Sequence, residues 1–158
     1  GTNGIQSLDL LGRKGTMQNG AALRLLFGTM QQTVKSAAGI TALAEYSVAL
    51  GAAVDAVAKT TQVLAATAMQ GRVDLFLANA HLYLEMLGHT VVAWLWLLQA
   101  QCAQAALETA GAQDRDFYQG KLMACRYFFR HELPKALRQA ELLATLDDTC
   151  LRISPAAL

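Results

Sequence analysis

The sequence predicts an all-α fold, an up-and-down bundle of four to five longer helices preceded by a short N-terminal helix. Three observations carry this expectation. The 158 residues include only two prolines and are rich in Ala, Leu, Gln and Met, which give up little side-chain freedom in a helix. Apolar residues recur three and four apart, the period of one helix face, and almost never alternate as a half-buried strand would. A hydrophobic content of 54% against 16% charged residues supplies a core for one compact unit and argues against disorder.

The elements follow in order. Gly12, Gly15 and Gly20 surround a break that separates a first helix near Ile5 to Arg13 from a second near Ala21 to Ser36. The second carries Leu23, Leu26, Phe27, Met30 and Val34 at helical spacing. Gly39 stops it, and Thr41 is placed to cap a third helix through its hydroxyl, with Glu45 adding negative charge near the positive helix end. From Thr41 to Met69 that helix would extend about 43 Å, with Leu43, Tyr46, Leu50, Val54, Val57 and Leu64 along one broad stripe. Gln70-Gly71 supplies its C-terminal break. Val73 to about Thr109 reads as apolar helix with a kink around Gly88. Asp114 is placed to cap a fifth helix through Phe117, Leu122, Cys125 and Phe129. Pro134 lacks a backbone donor and disfavours helical geometry at Leu133, so a turn or kink is expected before a helix resumes from Lys135 to Leu146.

Charge and cysteine usage narrow the class. Thirteen basic and twelve acidic side chains leave a formal charge of +1, which offers no field for a phosphate backbone and argues against nucleic acid as a partner. Cys102, Cys125 and Cys150 are odd in number, far apart and outside any CxxC pattern, so neither a disulfide framework nor a zinc site is expected. A cytoplasmic location fits this usage. The most apolar stretch, Val91 to Leu98, is eight residues long, short of the ~20 that span a bilayer, so no membrane span is expected. The opening lacks the basic and then apolar layout of a signal peptide. An apolar helix face left over by the bundle would suit a homo-oligomer.

Gly1-Thr2-Asn3-Gly4-Ile5-Gln6 opens the chain without an initiator Met and reads as the middle of a longer polypeptide. It resembles the segment that follows the catalytic glutamate in acyl-CoA dehydrogenases, where a Glu-Gly-Thr-x-x-Ile-Gln run closes the flavin site. Asp9-Leu10-Leu11-Gly12-Arg13-Lys14 continues the same register as in the larger bacterial members of that family, which resemble 3-methylmercaptopropionyl-CoA dehydrogenase and have an additional C-terminal helical domain. Matches to that extension are Ala78-Asn79-Ala80-His81-Leu82-Tyr83-Leu84, the Trp94-Leu95-Trp96 stretch, and Asp116-Phe117-Tyr118 followed by Lys121. Ala124-Cys125-Arg126-Tyr127-Phe128-Phe129 before Leu133-Pro134 completes the set in the same order. The resemblance covers nearly the whole chain. It divides it into residues 1–14, the tail of the catalytic domain, and 15–158, the C-terminal bundle.

What the resemblance implies is FAD-dependent α,β-desaturation of an acyl-CoA thioester, with an electron-transfer flavoprotein as acceptor. A glutamate removes the α proton while the flavin accepts hydride from the β carbon, so the base belongs on a rigid turn beside the flavin. That glutamate would immediately precede Gly1, so the chain by itself is expected to hold no catalytic residue and to be noncatalytic. By the same carry-over, Gly1 lies against the thioester end of the substrate, while Thr2, Asn3 and Gly4 contact FAD through hydroxyl and backbone groups. Glycine lets a backbone approach a ligand closely, although without the resemblance these residues read as a plain N-terminal turn. Most of the flavin pocket would come from residues outside this chain, so FAD is not expected to stay with it alone. The alternative is a free-standing helical interaction or oligomerisation module.

Other residues could in principle carry chemistry. His81, Glu85 and His89 fall four apart, but the outer two would lie ~12 Å from each other on an unbroken helix, too far for one metal ion. Trp94 and Trp96 point in different directions on a helix, one towards the bundle and the other towards a second packing surface. Arg126, Arg130, His131, Lys135 and Arg138 form a basic stretch that suits a solvated face better than CoA phosphates. Ser7, Ser36, Ser47 and Ser154 have no evident base, which leaves hydrolase chemistry without support.

Overall fold

The structure, a computed structural model, describes residues 2–154 and 156. Every regular element among them is helical. Helix α1 (Asn3–Leu8) passes into a π-helical turn, Asp9–Lys14, and a 3-10 turn, Met17–Gly20, leads to α2 (Ala21–Ala38). A second 3-10 turn, Thr41–Leu43, precedes α3 (Ala44–Met69), and the short α4 (Val73–Leu77) precedes α5 (Ala80–Leu107). Then come α6 (Ala112–Tyr127), a second π-helical turn (Phe128–Glu132), α7 (Leu133–Ala144) and the short α8 (Thr149–Arg152).

The all-α bundle is as the sequence predicts. Helix α5 is central and touches α1, α2, α3, α6 and α7, while α3 packs on α2, α5 and α7. The stripe of Leu43, Tyr46, Leu50, Val54, Val57 and Leu64 is buried throughout. It meets Tyr83, Met86, Leu87 and Leu97 of α5 and Leu133, Ala136 and Leu143 of α7 in one core. Polar links fix the neighbours of α2: Trp94 Nε1 donates to Thr33 Oγ1 at 2.8 Å, Gln101 Nε2 to Ser36 Oγ at 2.8 Å, and Ser47 Oγ to the Val34 carbonyl at 2.8 Å. The segments Thr41–Met69 and Ala80–Leu107 contain 18-residue windows of mean hydropathy 1.3 and 1.2, long and apolar enough to cross a membrane by length and composition alone. Of those windows, 33% and 28% is buried, and the buried apolar residues belong to this core.

The α3 terminus behaves as predicted. Gly71 has φ 78°, its N–H donates to the Ala68 carbonyl at 2.9 Å and that of Arg72 to the Thr67 carbonyl at 3.2 Å, the paired bonds of a Schellman stop.

Four local expectations are corrected. Thr41 makes no capping hydrogen bond through its side chain; the 3-10 turn, closed by Leu43 N–H on the Ile40 carbonyl at 2.8 Å, sets the entry to α3, with Leu43 buried. Gly88 does not kink α5: one glycine costs a helix only ~1 kcal/mol, and the break falls instead at Asn79 (φ −117°, ψ 33°). The Asn79 amide is held there by donating to the Asp147 carbonyl at 2.9 Å. The cap of α6 is Gly111, whose extended backbone (φ −66°, ψ 166°) lets its carbonyl accept from Asp114 N at 3.2 Å; Asp114 lies inside the first turn, where its charge suits the helix dipole. Pro134 sits in the first turn of α7, where its missing N–H is not needed, and the irregularity is taken up upstream by the π-helical turn.

Candidate functional site

Thr2, Asn3 and Gly4 form the first turn of α1 and are all exposed, while Gly1 lies outside the described residues. The Thr2 carbonyl accepts from Gln6 N–H at 2.9 Å, which starts the helix. A Cβ added at Gly4 would meet nothing within 4 Å, so this turn presents its hydroxyl, amide and backbone to open space. Exposed hydroxyl, amide and backbone groups of this kind are compatible with a cofactor approached from outside the bundle.

What holds the turn is more informative. Ser7 and Leu11 are buried, and the Ser7 hydroxyl donates to the Gly4 carbonyl at 2.8 Å, which lets a polar side chain enter the packing against α5. In the π-helical turn, the Arg13 guanidinium and the Lys14 ammonium converge on Asp9. Arg13 Nη2 lies 2.9 Å and Lys14 Nζ 3.1 Å from Asp9 Oδ2, and Arg13 first and Lys14 second hold the Asp9 carboxyl below its usual range. A Cβ at Gly12 would stand 3.4 Å from Leu77, so this turn lies close on α4. Residues 2–14 are therefore tied to the bundle by packing, while the ion pairs of Asp9 with Arg13 and Lys14 brace the π-helical turn itself.

The other candidates resolve as follows. His81 is exposed, whereas His89 Nδ1 is 2.8 Å from the Glu85 carbonyl of its own helix and His89 Nε2 is 3.7 Å from Glu132 Oε2. Among the described residues no group of three or more His, Cys, Asp or Glu could hold a metal ion. A shallow recess of about 300 Å³ beside Glu85 and His89 includes Glu132, whose carboxyl Lys135, at 2.5 Å, holds below its usual range. Trp94 faces α2, whereas Trp96 lies beneath the Lys121 ammonium of α6, 5.7 Å from its ring; both indoles are partly buried and pack against the core. Arg126, Arg130, His131, Lys135 and Arg138 are exposed. Ser47 and Ser36 are committed to backbone carbonyls, at 2.8 and 3.0 Å.

One feature escaped the sequence reading. Leu98, Gln99, Cys102, Ala103, Phe117, Tyr118 and Lys121 line an open, mainly apolar groove of about 280 Å³ between α5 and α6. Phe117 is 61% exposed on α6, whose buried residue is Cys125. The Asp116-Phe117-Tyr118 and Lys121 signature marked this place in the sequence, but nothing in it said that the aromatic ring would face out.

The family described as acetyl-CoA dehydrogenase C-terminal like matches residues 26–154. The broad-specificity linear acyl-CoA dehydrogenase FadE5 of Mycobacterium tuberculosis is 31% identical over 164 residues, covering 99% of this chain and 27% of that protein. The chain thus spans about a quarter of the length of the curated relative it matches.

Proposed function

Because the chain belongs to the acetyl-CoA dehydrogenase C-terminal-like family, we propose that it is the C-terminal part of an FAD-dependent enzyme that desaturates acyl-CoA thioesters. Residues 1–14 would be the tail of the catalytic domain and 15–158 the helical bundle that supports it. Thr2, Asn3 and Gly4 would hold the cofactor through hydroxyl and backbone groups, and Gly1 would sit by the thioester. FAD, when bound, supplies the hydride acceptor. The carboxylate base would be the residue before Gly1, so residues 1–158 alone would bind no FAD and turn over no acyl-CoA. An electron-transfer flavoprotein would take the electrons, and the three free thiols suit a cytoplasmic enzyme.

The observation that carries this reading is the family match over residues 26–154 with 31% identity to FadE5 across 99% of the chain, and the buried Ser7 and Leu11 tie the segment after the expected base to α5. A base and cofactor turn must be held rigidly to act at one geometry, and in this reading the packed helical bundle would do the holding. The test is the parent enzyme, with its upstream residues restored. It should carry the flavin absorbance band and bleach anaerobically on adding an acyl-CoA, while residues 1–158 should give no acyl-CoA-dependent dye reduction. A parent that neither retains FAD nor reduces it with any acyl-CoA would sink the proposal.

Phe117, Met123 and Tyr127, all well exposed on α6, favour a second reading as an interaction or oligomerisation module. Sedimentation of the 158-residue chain as a strict monomer, with no affinity for the remaining enzyme, would count against it.

A further inference from the structure

Helix α1 is amphipathic the wrong way round for a self-contained bundle. Its two large apolar side chains, Ile5 and Leu8, are 69% and 47% exposed, whereas its serine, Ser7, is 2% exposed. At about 100° per residue, Ile5 and Leu8 project within roughly 60° of each other, and Ser7 lies about 160° from Ile5. The buried serine is not an accident of packing, because its hydroxyl is satisfied internally by the Gly4 carbonyl at 2.8 Å. A six-residue helix with one side seated on α5 and its apolar side in water has little to stabilise it alone. Such a helix is shaped to lie between two bodies.

We infer that the Ile5 and Leu8 face of α1 is the seat of the dehydrogenase's catalytic body, the part of the enzyme outside this chain. The occupant follows from two facts. The chain spans only 27% of the relative it matches, so a body about three times its size is available to cover this face. Thr2, Asn3 and Gly4, the residues read above as holding the cofactor, open the same short helix as Ile5, so the body that carries the cofactor would meet α1 there. The face is apolar and uncharged, which suits an apolar helical surface and not a nucleotide or a phosphate. Helix α1 is thus a shim, with Ser7 packed towards the bundle and Ile5 and Leu8 packed towards the body. This inference rests on the reading of the chain as part of a larger dehydrogenase.

The test replaces both residues, Ile5→Asp and Leu8→Asp, in the parent enzyme and in the 158-residue chain. In the chain, where both are exposed, the melting temperature should be unchanged. In the parent, the double variant should melt several degrees lower, and its ratio of flavin to protein absorbance should fall several-fold. Unchanged melting and flavin content in the parent would overturn the inference. A dimer of the 158-residue chain that dissociates on the same substitutions would also overturn it, by showing a second copy as the occupant. The two proposals fail separately: a wild-type parent without flavin removes the dehydrogenase reading, while a parent that holds flavin and tolerates both aspartates removes only the seat.

Discussion

Cys125 should be the one thiol of this protein that a thiol reagent cannot reach in the native state. It has no exposed surface, and burial pushes its thiol up from an ordinary 9.0 to about 12. The attacking species is the thiolate, so at pH 8 a displacement of this size alone slows reaction by a factor on the order of 10³. Cys102 and Cys150 are exposed to the reagent. Ellman's reagent at pH 8 should therefore titrate two thiols quickly and the third slower by at least that factor, with all three reacting together in guanidinium chloride. Three thiols of similar native reactivity would refute the assigned packing of α6 against the core. The same displacement also sets a stability term, and its sign follows from proton counts. A thiol raised on folding keeps its proton in the native state at a pH where the unfolded chain has lost it. Its contribution is complete below about pH 9 and is lost as pH rises towards 12. Tyr46 and Tyr83, raised chiefly by burial, act in the same direction. Alkaline unfolding monitored by circular dichroism should thus set in within that window, and Cys125→Ala should make the pH dependence shallower there.

Other positions give sharper local tests. Thr61 Oγ1 donates its one proton to the Val57 carbonyl at 2.7 Å, so in its 2.9 Å contact with Tyr83 the tyrosine is the donor. Tyr83→Phe should then cost about 1 kcal/mol, and Tyr83→Ala about 3–5 kcal/mol, in denaturant titrations; equal costs would contradict the packing. Gly71→Ala forces a side chain into left-handed geometry (φ 78°) and should lose about 1 kcal/mol, whereas Gly88→Ala, inside α5 with nothing within 4 Å of the new Cβ, should gain about 0.5–1 kcal/mol. If Gly88→Ala destabilises, a kink at that residue regains its case. Trp94→Phe removes the donor to Thr33 and should cost about 1 kcal/mol and delete the bluer of two indole emissions; an unchanged spectrum would show that Trp96 is the more enclosed ring.

The parts of the fold that were legible in the sequence are those with a strong period and a glycine stop. The α3 stripe from Leu43 to Leu64 and the Gly71 terminus needed no information beyond their own neighbourhood. The local errors arose where a distant contact decides. Asn79 breaks the helix because the Asp147 carbonyl, 68 residues on, accepts from its amide, and no local rule separates that break from one at Gly88. The π-helical turn before Pro134 absorbs a missing donor that sequence rules assign to a kink. At the candidate site, the chemistry of Thr2, Asn3 and Gly4 came from resemblance to a family. The burial of Ser7 beside the exposure of Ile5 came from neither pattern nor resemblance, because a pattern rule would place the isoleucine inward.

That inversion also separates what the family matches can support. Ala80, Tyr83, Cys125, Phe129 and Leu133 are buried, so resemblance in those segments is explained by the need to build one core and says nothing about a reaction. Phe117, Tyr127 and Ile5 stand in the same set of matches but are exposed, and no packing requirement within this chain accounts for them. A side chain that fits a family pattern and leaves apolar area in water is a candidate for contact outside the bundle, to be tested by substitution. The exposed matches lie on α1 and α6, so the chain has two surfaces to account for, one beside the expected base and one beside the α5–α6 groove. Substituting Phe117 and Tyr127 with aspartate in the parent assigns the second surface by contrast with the first. Loss of assembly with flavin retained would make α6 a contact between subunits, whereas loss of flavin would place it, like α1, against the catalytic body.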